Sequence, residues 1–493
     1  MKTSDKGVFI DGEWLTGEGP VLTSLNPSNG DVVWQKKQAG NTQVEKAFLA
    51  AHGAVDHWRD IGLTKRISIL QTFTQKLRDH QETLAKLLSK ENGKPLWEAR
   101  TEITATIKKT DISISAQQHR CADTDQNPYR LVHRPLGVVV VISPYNFPFH
   151  LANGHIIPAL LAGNCILLKP SEYVPACAEL MVQLWQQAGL PAGVINLLPG
   201  GSGVSAALLH QPINAALFTG SSQTGRLIHK TFAGRPEVLL ALEMGGNNPL
   251  IIDACDRPYS DNEMNQISDL IIRSAFISSG QRCTCSRRLI LVDKPENREL
   301  LNKLLLRCQE LRIATTNGDE CQSFLGPLIS QQAAEKVRQQ YQHLEALGGV
   351  KLLEPKKLKP DTLISPTIID MSSVTQSALP DEEIFGPVLQ VFWVDDIHLA
   401  IHLANATQYG LAAGMVSQTI AHQQLFRQKI NAGFFTINKP TTGAPSTLPF
   451  GGTGSSGNHR PSALYAADYC AWPQASAFAE NIEDSVMISQ VDL

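Results

Sequence analysis

Leu136-Gly-Val-Val-Val-Val-Ile142 runs directly into Ser143-Pro-Tyr-Asn-Phe-Pro-Phe149. The first seven residues are apolar and rich in β-branched side chains, and the turn after them is stiffened by two prolines. They read as a buried strand that stops at a rigid loop. Similar short apolar runs appear at 165–168, 193–198, 215–218, 238–242 and 249–252. Helix-like stretches lie between them at 152–162, 175–189, 202–210 and 223–233. Continuous apolar runs alternating with helices predict an α/β fold with a parallel sheet. Ligands of such sheets sit beyond the carboxyl ends of the strands. The loops after each run are therefore where chemistry is expected.

Upstream, Ile67, Leu70, Phe73, Leu77, Leu84 and Leu88 fall at near-helical spacing, which predicts one amphipathic helix over 65–92, stopped by Gly93 and Pro95. Downstream, a second α/β segment spans about 255–440, with helices predicted at 262–279, 297–313 and 330–347. The 117–135 region is polar, and the tail after 464 carries Tyr465, Tyr469 and Trp472. Both read equally well as an arm that packs on another subunit or as a surface extension.

The 493 residues leave room for two or three domains, and 43% hydrophobic with 18% charged residues is ordinary for a globular protein. A net charge of −3 gives no reason to expect nucleic acid or an anionic membrane as partner. The nine cysteines are an odd number without paired spacing, which favours a reducing, cytoplasmic setting. The first residues show no apolar signal segment, and the longest apolar run is too short to span a bilayer.

Five loops carry candidate chemistry. In Phe276-Ile-Ser-Ser-Gly-Gln-Arg-Cys-Thr-Cys285, Cys283 stands beside Arg282, whose charge would lower the thiol pKa and raise the thiolate fraction. Cys285 takes the inert role. In Leu242-Glu-Met-Gly-Gly-Asn-Asn-Pro249, Glu243 sits at a strand end, where a carboxylate can act as general base. Asn146, between two aromatics of the 143–149 turn, can aim an amide N–H at a developing oxyanion. In Leu167-Leu-Lys-Pro-Ser-Glu172, Lys169 and Glu172 are placed for ribose hydroxyls. The acid would repel a 2′-phosphate and so favours NAD over NADP. In Phe218-Thr-Gly-Ser-Ser-Gln-Thr-Gly225, the residues Gly220, Ser221, Ser222, Gln223, Thr224 and Gly225 open a helix whose free N–H groups can bind phosphate oxygens. Each has a plainer reading: a buried cysteine, a capping glutamate, an asparagine bonding its own turn, a charged surface turn, an N-capping serine. Gly452-Thr-Gly-Ser-Ser-Gly457 matches G-x-G-x-x-G literally, but it follows no convincing strand and leaves little room for a βαβ unit. It reads instead as a flexible loop near a substrate entrance.

Taken together and in this order, the five motifs resemble the aldehyde dehydrogenase superfamily, from Asp11-Gly-Glu-Trp14 to Pro449-Phe-Gly-Gly452. Glu382-Glu-Ile-Phe-Gly-Pro387 is similar to the family's cofactor segment, and Asn431-Ala-Gly433 to an element that closes its catalytic domain. The resemblance implies an atypical Rossmann NAD-binding domain (1–116 and 136–244), an α/β catalytic domain (245–440) and a small β oligomerisation arm with tail (117–135 and 464–493). It implies a homodimer or dimer-based tetramer. By the same resemblance, Glu383 would bond the nicotinamide ribose and Phe385 would pack beside the nicotinamide. Cys283 would attack the aldehyde, Asn146 and the Cys283 N–H would hold the oxyanion, and Glu243 would activate water on the thioester. No metal is called for. Base and nucleophile lie farther apart in sequence than the family leads one to expect, and the extra residues fall at 254–263.

A narrower resemblance rests on Gly245-Gly-Asn-Asn-Pro249, Gly280-Gln-Arg-Cys-Thr-Cys-Ser-Arg-Arg288, Gly457-Asn-His-Arg-Pro-Ser-Ala463 and Ala466-Ala-Asp-Tyr-Cys-Ala-Trp-Pro473. These are similar to the branch of the family that oxidises an N-succinylated amino-acid semialdehyde in arginine breakdown. Such a substrate carries two carboxylates besides its aldehyde. Arg282, His459 and Arg460 are the cations expected to meet them. The alternatives are another acidic semialdehyde, of succinate or glutamate, or a structural protein that keeps the fold without catalysis.

Overall fold

The computed structural model describes residues 4–254, 257–315 and 323–478. Two seven-stranded sheets form its frame. The first has the spatial order Leu239–Met244, Ala215–Gly220, Val138–Ile142, Cys165–Lys169, Ile195–Leu197, Val8–Ile10 and Glu13–Leu15. The first five of these strands are parallel, and Val138–Ile142 is buried at every position. From that strand the chain steps outward twice through 165–169 and 195–197, then returns to its other side at 215–220. The reversal makes a crevice between the carboxyl ends of Val138–Ile142 and Ala215–Gly220, which is where such sheets bind ligands.

The second sheet runs Val350–Leu353, Thr367–Asp370, Val388–Val394, Ser286–Val292, Asn248–Ile252, Ala412–Val416 and Phe434–Ile437. Only its first strand is antiparallel. Three residues, Gly245–Asn247, join the last strand of one sheet to the middle of the other. The carboxyl edge of the first sheet is thereby set against the amino edge of the second, so Glu243 leaves one sheet just before Asn248 enters the next.

The apolar pattern over 65–92 forms two helices, Leu63–Asp79 and Gln81–Asn92. His80 breaks them by leaving the helical region (φ −115°, ψ 14°), and both halves still bury core leucines. Gly93 ends the second in the left-handed conformation, as its position after the last apolar residue predicts. The helix Lys109–Arg120 extends into the segment expected to begin the arm at 117. Beyond it, Thr124–Gln126, Tyr129–Pro135 and Ala471–Ala477 form a separate antiparallel sheet. The tail after residue 478 lies outside the described residues. The extra residues before the helix Asp261–Phe276 are likewise described only in part. There Ser260 and Glu263 form a capping box and Arg257 pairs with Glu263.

Candidate active site

The crevice opens into a cavity of about 820 Å³ lined, among others, by Asn146, Lys169, Glu172, Glu243, Cys283, Glu383 and Phe385. Residues from five separate loops meet on one wall system, which is what their positions at strand ends predict.

Asn146 sits in a fixed turn. Its side-chain amide donates to the Gln281 carbonyl at 2.9 Å, and its own carbonyl accepts from Lys94 Nζ at 2.7 Å. Lys94 is paired in turn with Glu102 at 2.7 Å, which also accepts the backbone N–H groups of Phe149 and His150. An amide group has two hydrogens. Gln281 holds one, which leaves the other for a ligand oxygen in the cavity.

The nucleophile loop is bent by backbone conformation. After the helix Asp261–Phe276, the residues Ser278, Ser279 and Gly280 are all left-handed (φ 55°, 55° and 74°). Glycine is required at the third, because a Cβ there would meet the Gly386 carbonyl oxygen at 2.1 Å. Asn248 then clamps the far side of the loop, donating to the carbonyl oxygens of Cys283 at 2.7 Å and Cys285 at 2.9 Å. Cys283 reaches the cavity. Cys285 is fully buried with its thiol against the Ile277 carbonyl, at 3.7 Å.

Arg282 does not act on Cys283 as its sequence position suggests. The turn directs its guanidinium to the buried Glu98 at 2.7 Å, to Ser278 Oγ at 2.7 Å, and over the Phe147 ring. Burial pushes the Cys283 thiol above the ordinary range, and the carboxylates of Glu243 and Glu383 push it further. Both effects favour the protonated thiol, and a nearby positive charge would oppose them.

Glu243 is buried and bonded at both oxygens. Ser462 Oγ donates to one, and Thr219 Oγ1 donates to the other at 3.2 Å. Burial raises its pKa, while Ser462, Lys109 and Thr219 draw it part-way back. Thr219 also meets His155 Nε2 at 3.0 Å, and His155 Nδ1 meets the Tyr469 hydroxyl at 3.0 Å. Burial lowers the His155 pKa to about 3, so the ring is neutral. Since Thr219 has one proton and gives it to Glu243, the imidazole donates from Nε2 and accepts from Tyr469.

Further residues of the cavity lining fit a dinucleotide. Ser221 caps the helix Ser222–Thr231, accepting from Thr224 N–H at 3.2 Å, so the plain capping reading and an open anion-binding helix start coexist. Gly225 lets that helix lie on Met244, whose sulfur would be 2.3 Å from a Cβ. Lys169 and Glu172 face each other at 3.5 Å on the cavity wall. Glu383 carries a buried oxygen with no hydrogen-bond partner, and burial raises its pKa to about 7 despite Arg287 at 3.8 Å. An orphaned carboxylate oxygen of this kind suits ribose hydroxyls as donors. The Phe385 ring stands edge-on to Tyr145, 6.1 Å between centroids.

The three cations expected to meet substrate carboxylates are not brought into the cavity. Arg282 is already matched by Glu98. His459 and Arg460 are exposed, and the hydrogen bond recorded for the Arg460 side chain goes to the His459 carbonyl, at 3.3 Å. Their loop is nonetheless close to the chemistry: Asn458 bonds the backbone of Leu240 and Leu242, Gly457 bridges Glu243, and Ser462 holds the Glu243 carboxylate. The segment read as a flexible entrance loop is therefore stitched to the strand that carries the base. Sequence reasoning missed Asn248, Thr219, His155, Ser462, Lys94 and Lys109. Asn248 alone carried a signal, as a second asparagine directly after the base motif.

Residues 14–473 match the model of the aldehyde dehydrogenase family, and the chain belongs to that family. It is 46% identical over 481 residues to the N-succinylglutamate 5-semialdehyde dehydrogenase of Escherichia coli O9:H4, covering 96% of each chain. The enzyme of the same name from Escherichia coli K12 is 45% identical over the same share. Among solved structures, an NAD-dependent aldehyde dehydrogenase of Sinorhizobium meliloti superposes with a TM-score of 0.90 at 27% identity, covering 99% of this chain and 97% of that one. Betaine aldehyde dehydrogenase of Staphylococcus aureus in complex with NAD+ gives 0.89 at 25% identity, over 99% and 97%.

Proposed function

We propose that the protein oxidises N-succinyl-L-glutamate 5-semialdehyde to N-succinyl-L-glutamate with NAD, in arginine breakdown by the succinyltransferase route. The observation that carries the reading is the meeting of Cys283, Glu243 and Asn146 in one cavity that Lys169, Glu172, Glu383 and a helix N-terminus also line. Full-length similarity to relatives of that name supports the substrate.

The steps follow from the side chains. Cys283 passes its thiol proton to a water in the cavity and its sulfur attacks the aldehyde carbon. The oxyanion is held by the free amide hydrogen of Asn146 and the Cys283 backbone N–H. Lys169, Glu172, Glu383 and the start of the helix Ser222–Thr231 would hold NAD, which would supply the acceptor for the hydride leaving that carbon. A thioester on Cys283 results. Glu243 takes a proton from water, the hydroxide displaces the sulfur, and the acid leaves. Ser462 and Thr219 keep the carboxylate oriented for this step.

We assign the protein to the cytoplasm. Among the described residues no helix is long and apolar enough to cross a membrane, and the seven described cysteines are all unpaired. The favoured partner is a second copy of the chain, as a dimer or dimer of dimers. Tyr129 and Trp472, exposed by 65% and 64%, stand on the separate antiparallel sheet and support that arrangement. The test is kcat/KM with NAD for the N-succinylglutamate, succinate and glutamate semialdehydes side by side. The first should lead by tenfold or more, and a lead for either smaller acid would overturn the substrate.

A further inference from the structure

Lys109 opens the helix Lys109–Arg120, yet it is only 5% exposed. A buried ammonium needs a counter-charge or a ring of acceptors. Among the described residues, no hydrogen bond or ion pair to its side chain is present. The carboxylate of Glu243 acts on it electrostatically but is not bonded to it. The ammonium lies over Gly154 of the helix His150–Ala162, where a Cβ would be 3.7 Å from Nζ. A larger residue at 154 would fill that space.

His150 stands one turn earlier on the same face of that helix. Its Nδ1 is buried without a partner, while its backbone is anchored on Glu102. Burial, and then the cations Lys109, Lys94 and Arg282, hold the ring neutral. Two of those cations are already matched, Lys94 by Glu102 and Arg282 by Glu98. Lys109 is not. Leu151, next to His150, lines the cavity together with Cys283 and Glu243. Behind that wall, outside the residues that line the cavity, stand one uncompensated cation, Lys109, and one imidazole without a partner at Nδ1, His150.

We propose that Lys109 and His150 form the subsite that holds a carboxylate of the aldehyde substrate, remote from the carbon that Cys283 attacks. The inference rests on the acidic-aldehyde reading above and gives it the residues that Arg282, His459 and Arg460 do not supply. Lys109 donates a charge-assisted bond and neutral His150 donates from Nδ1, so the anion is held without a free arginine. Because Lys109 also acts on Glu243, some of its effect on turnover is common to every substrate. The ratio of anionic to neutral aldehyde isolates the subsite.

The experiment measures kcat/KM of wild type, Lys109→Met, Lys109→Arg and His150→Leu with NAD and three aldehydes: N-succinylglutamate semialdehyde, succinate semialdehyde and butanal. Losing a charged hydrogen bond should lower the anionic-to-neutral ratio roughly 10- to 100-fold in Lys109→Met, through KM. Lys109→Arg should recover most of it, and His150→Leu should lower it by a smaller factor. An unchanged ratio in Lys109→Met would overturn the proposal. If Lys109→Met does not fold, wild type decides: KM for both anionic aldehydes should rise above pH 8 relative to butanal, and a flat ratio overturns the subsite. The groups facing Lys109 in that titration are Glu243, His150 and His155, and burial lowers the lysine to about 8. A wild type that prefers succinate semialdehyde while Lys109→Met still loses the ratio defeats the succinylglutamate reading and leaves the subsite standing. A wild type with no preference for either anion at any pH defeats both.

Discussion

Asn248 ties the base strand to the nucleophile: its side-chain amide donates to the Cys283 carbonyl at 2.7 Å, only five residues after Glu243. The same side chain bonds the Cys285 carbonyl and accepts from the Ala412 N–H at 3.0 Å. One buried amide therefore ties the loop of Cys283 to the strand that follows Glu243.

Asn248→Ala should leave three buried backbone groups without a partner, each costing about 1–3 kcal/mol. The expected outcome is a lower Tm and a fall in kcat of at least tenfold with little change in NAD affinity. Thermal scans, kcat and NAD titration check it. A variant with normal kcat would show that the clamp is only structural.

Ser462 and Glu243 give a pH prediction. The hydroxyl donates to the carboxylate and so favours its charged form, which opposes the effect of burial. Removing it in Ser462→Ala raises the pKa of the base further. The acidic limb of the kcat profile should move to higher pH by about 1–2 units, the equivalent of about 1.5–3 kcal/mol. A shift to lower pH would contradict the assignment of Glu243 as the base.

Arg282 yields a stability prediction. It is the charge partner of Glu98, which is buried completely. Burial pushes that carboxyl up, but Arg282 and Lys94 outweigh it and hold it below the ordinary range. Arg282→Ala would leave a buried carboxylate short of charge, at a cost on the order of 3–5 kcal/mol. Lower Tm and an equal loss on anionic and neutral aldehydes are expected. A loss confined to anionic aldehydes would restore Arg282 as a substrate anchor.

Glu172 faces Lys169 on the cavity wall at 3.5 Å. Glu172→Ser removes the carboxylate that would repel a 2′-phosphate and should raise kcat/KM for NADP relative to NAD by about tenfold or more, the equivalent of about 1.4 kcal/mol. Measuring both cofactors with one aldehyde decides it, and an unchanged ratio would place the discrimination elsewhere.

The parallel frame was legible because strands buried on both faces read as unbroken apolar runs, as at Val138–Ile142 and Asn248–Ile252. The catalytic loops were legible because they follow or precede those runs. What escaped the sequence depends on contacts between distant segments. Arg282 neighbours Cys283 in the chain, but three left-handed residues turn it toward Glu98, on a helix not read from periodicity. Lys109 looks like half of an ordinary Lys-Lys pair at a helix start, and only the packing against Gly154 reveals it as buried. Thr219, His155 and Ser462 come from three segments that meet only at Glu243 and Thr219. The break at His80 was hidden because Leu77 and Leu84 stay one heptad apart across it.

The central claim is that Cys283 carries the acyl group and Glu243 releases it. Glu243→Gln mixed with NAD and N-succinylglutamate semialdehyde should give a burst of one NADH per active site and then almost no turnover. Intact and peptide mass spectrometry should find Cys283 heavier by the product acid less one water. No burst, or the adduct on Cys285, would contradict the account.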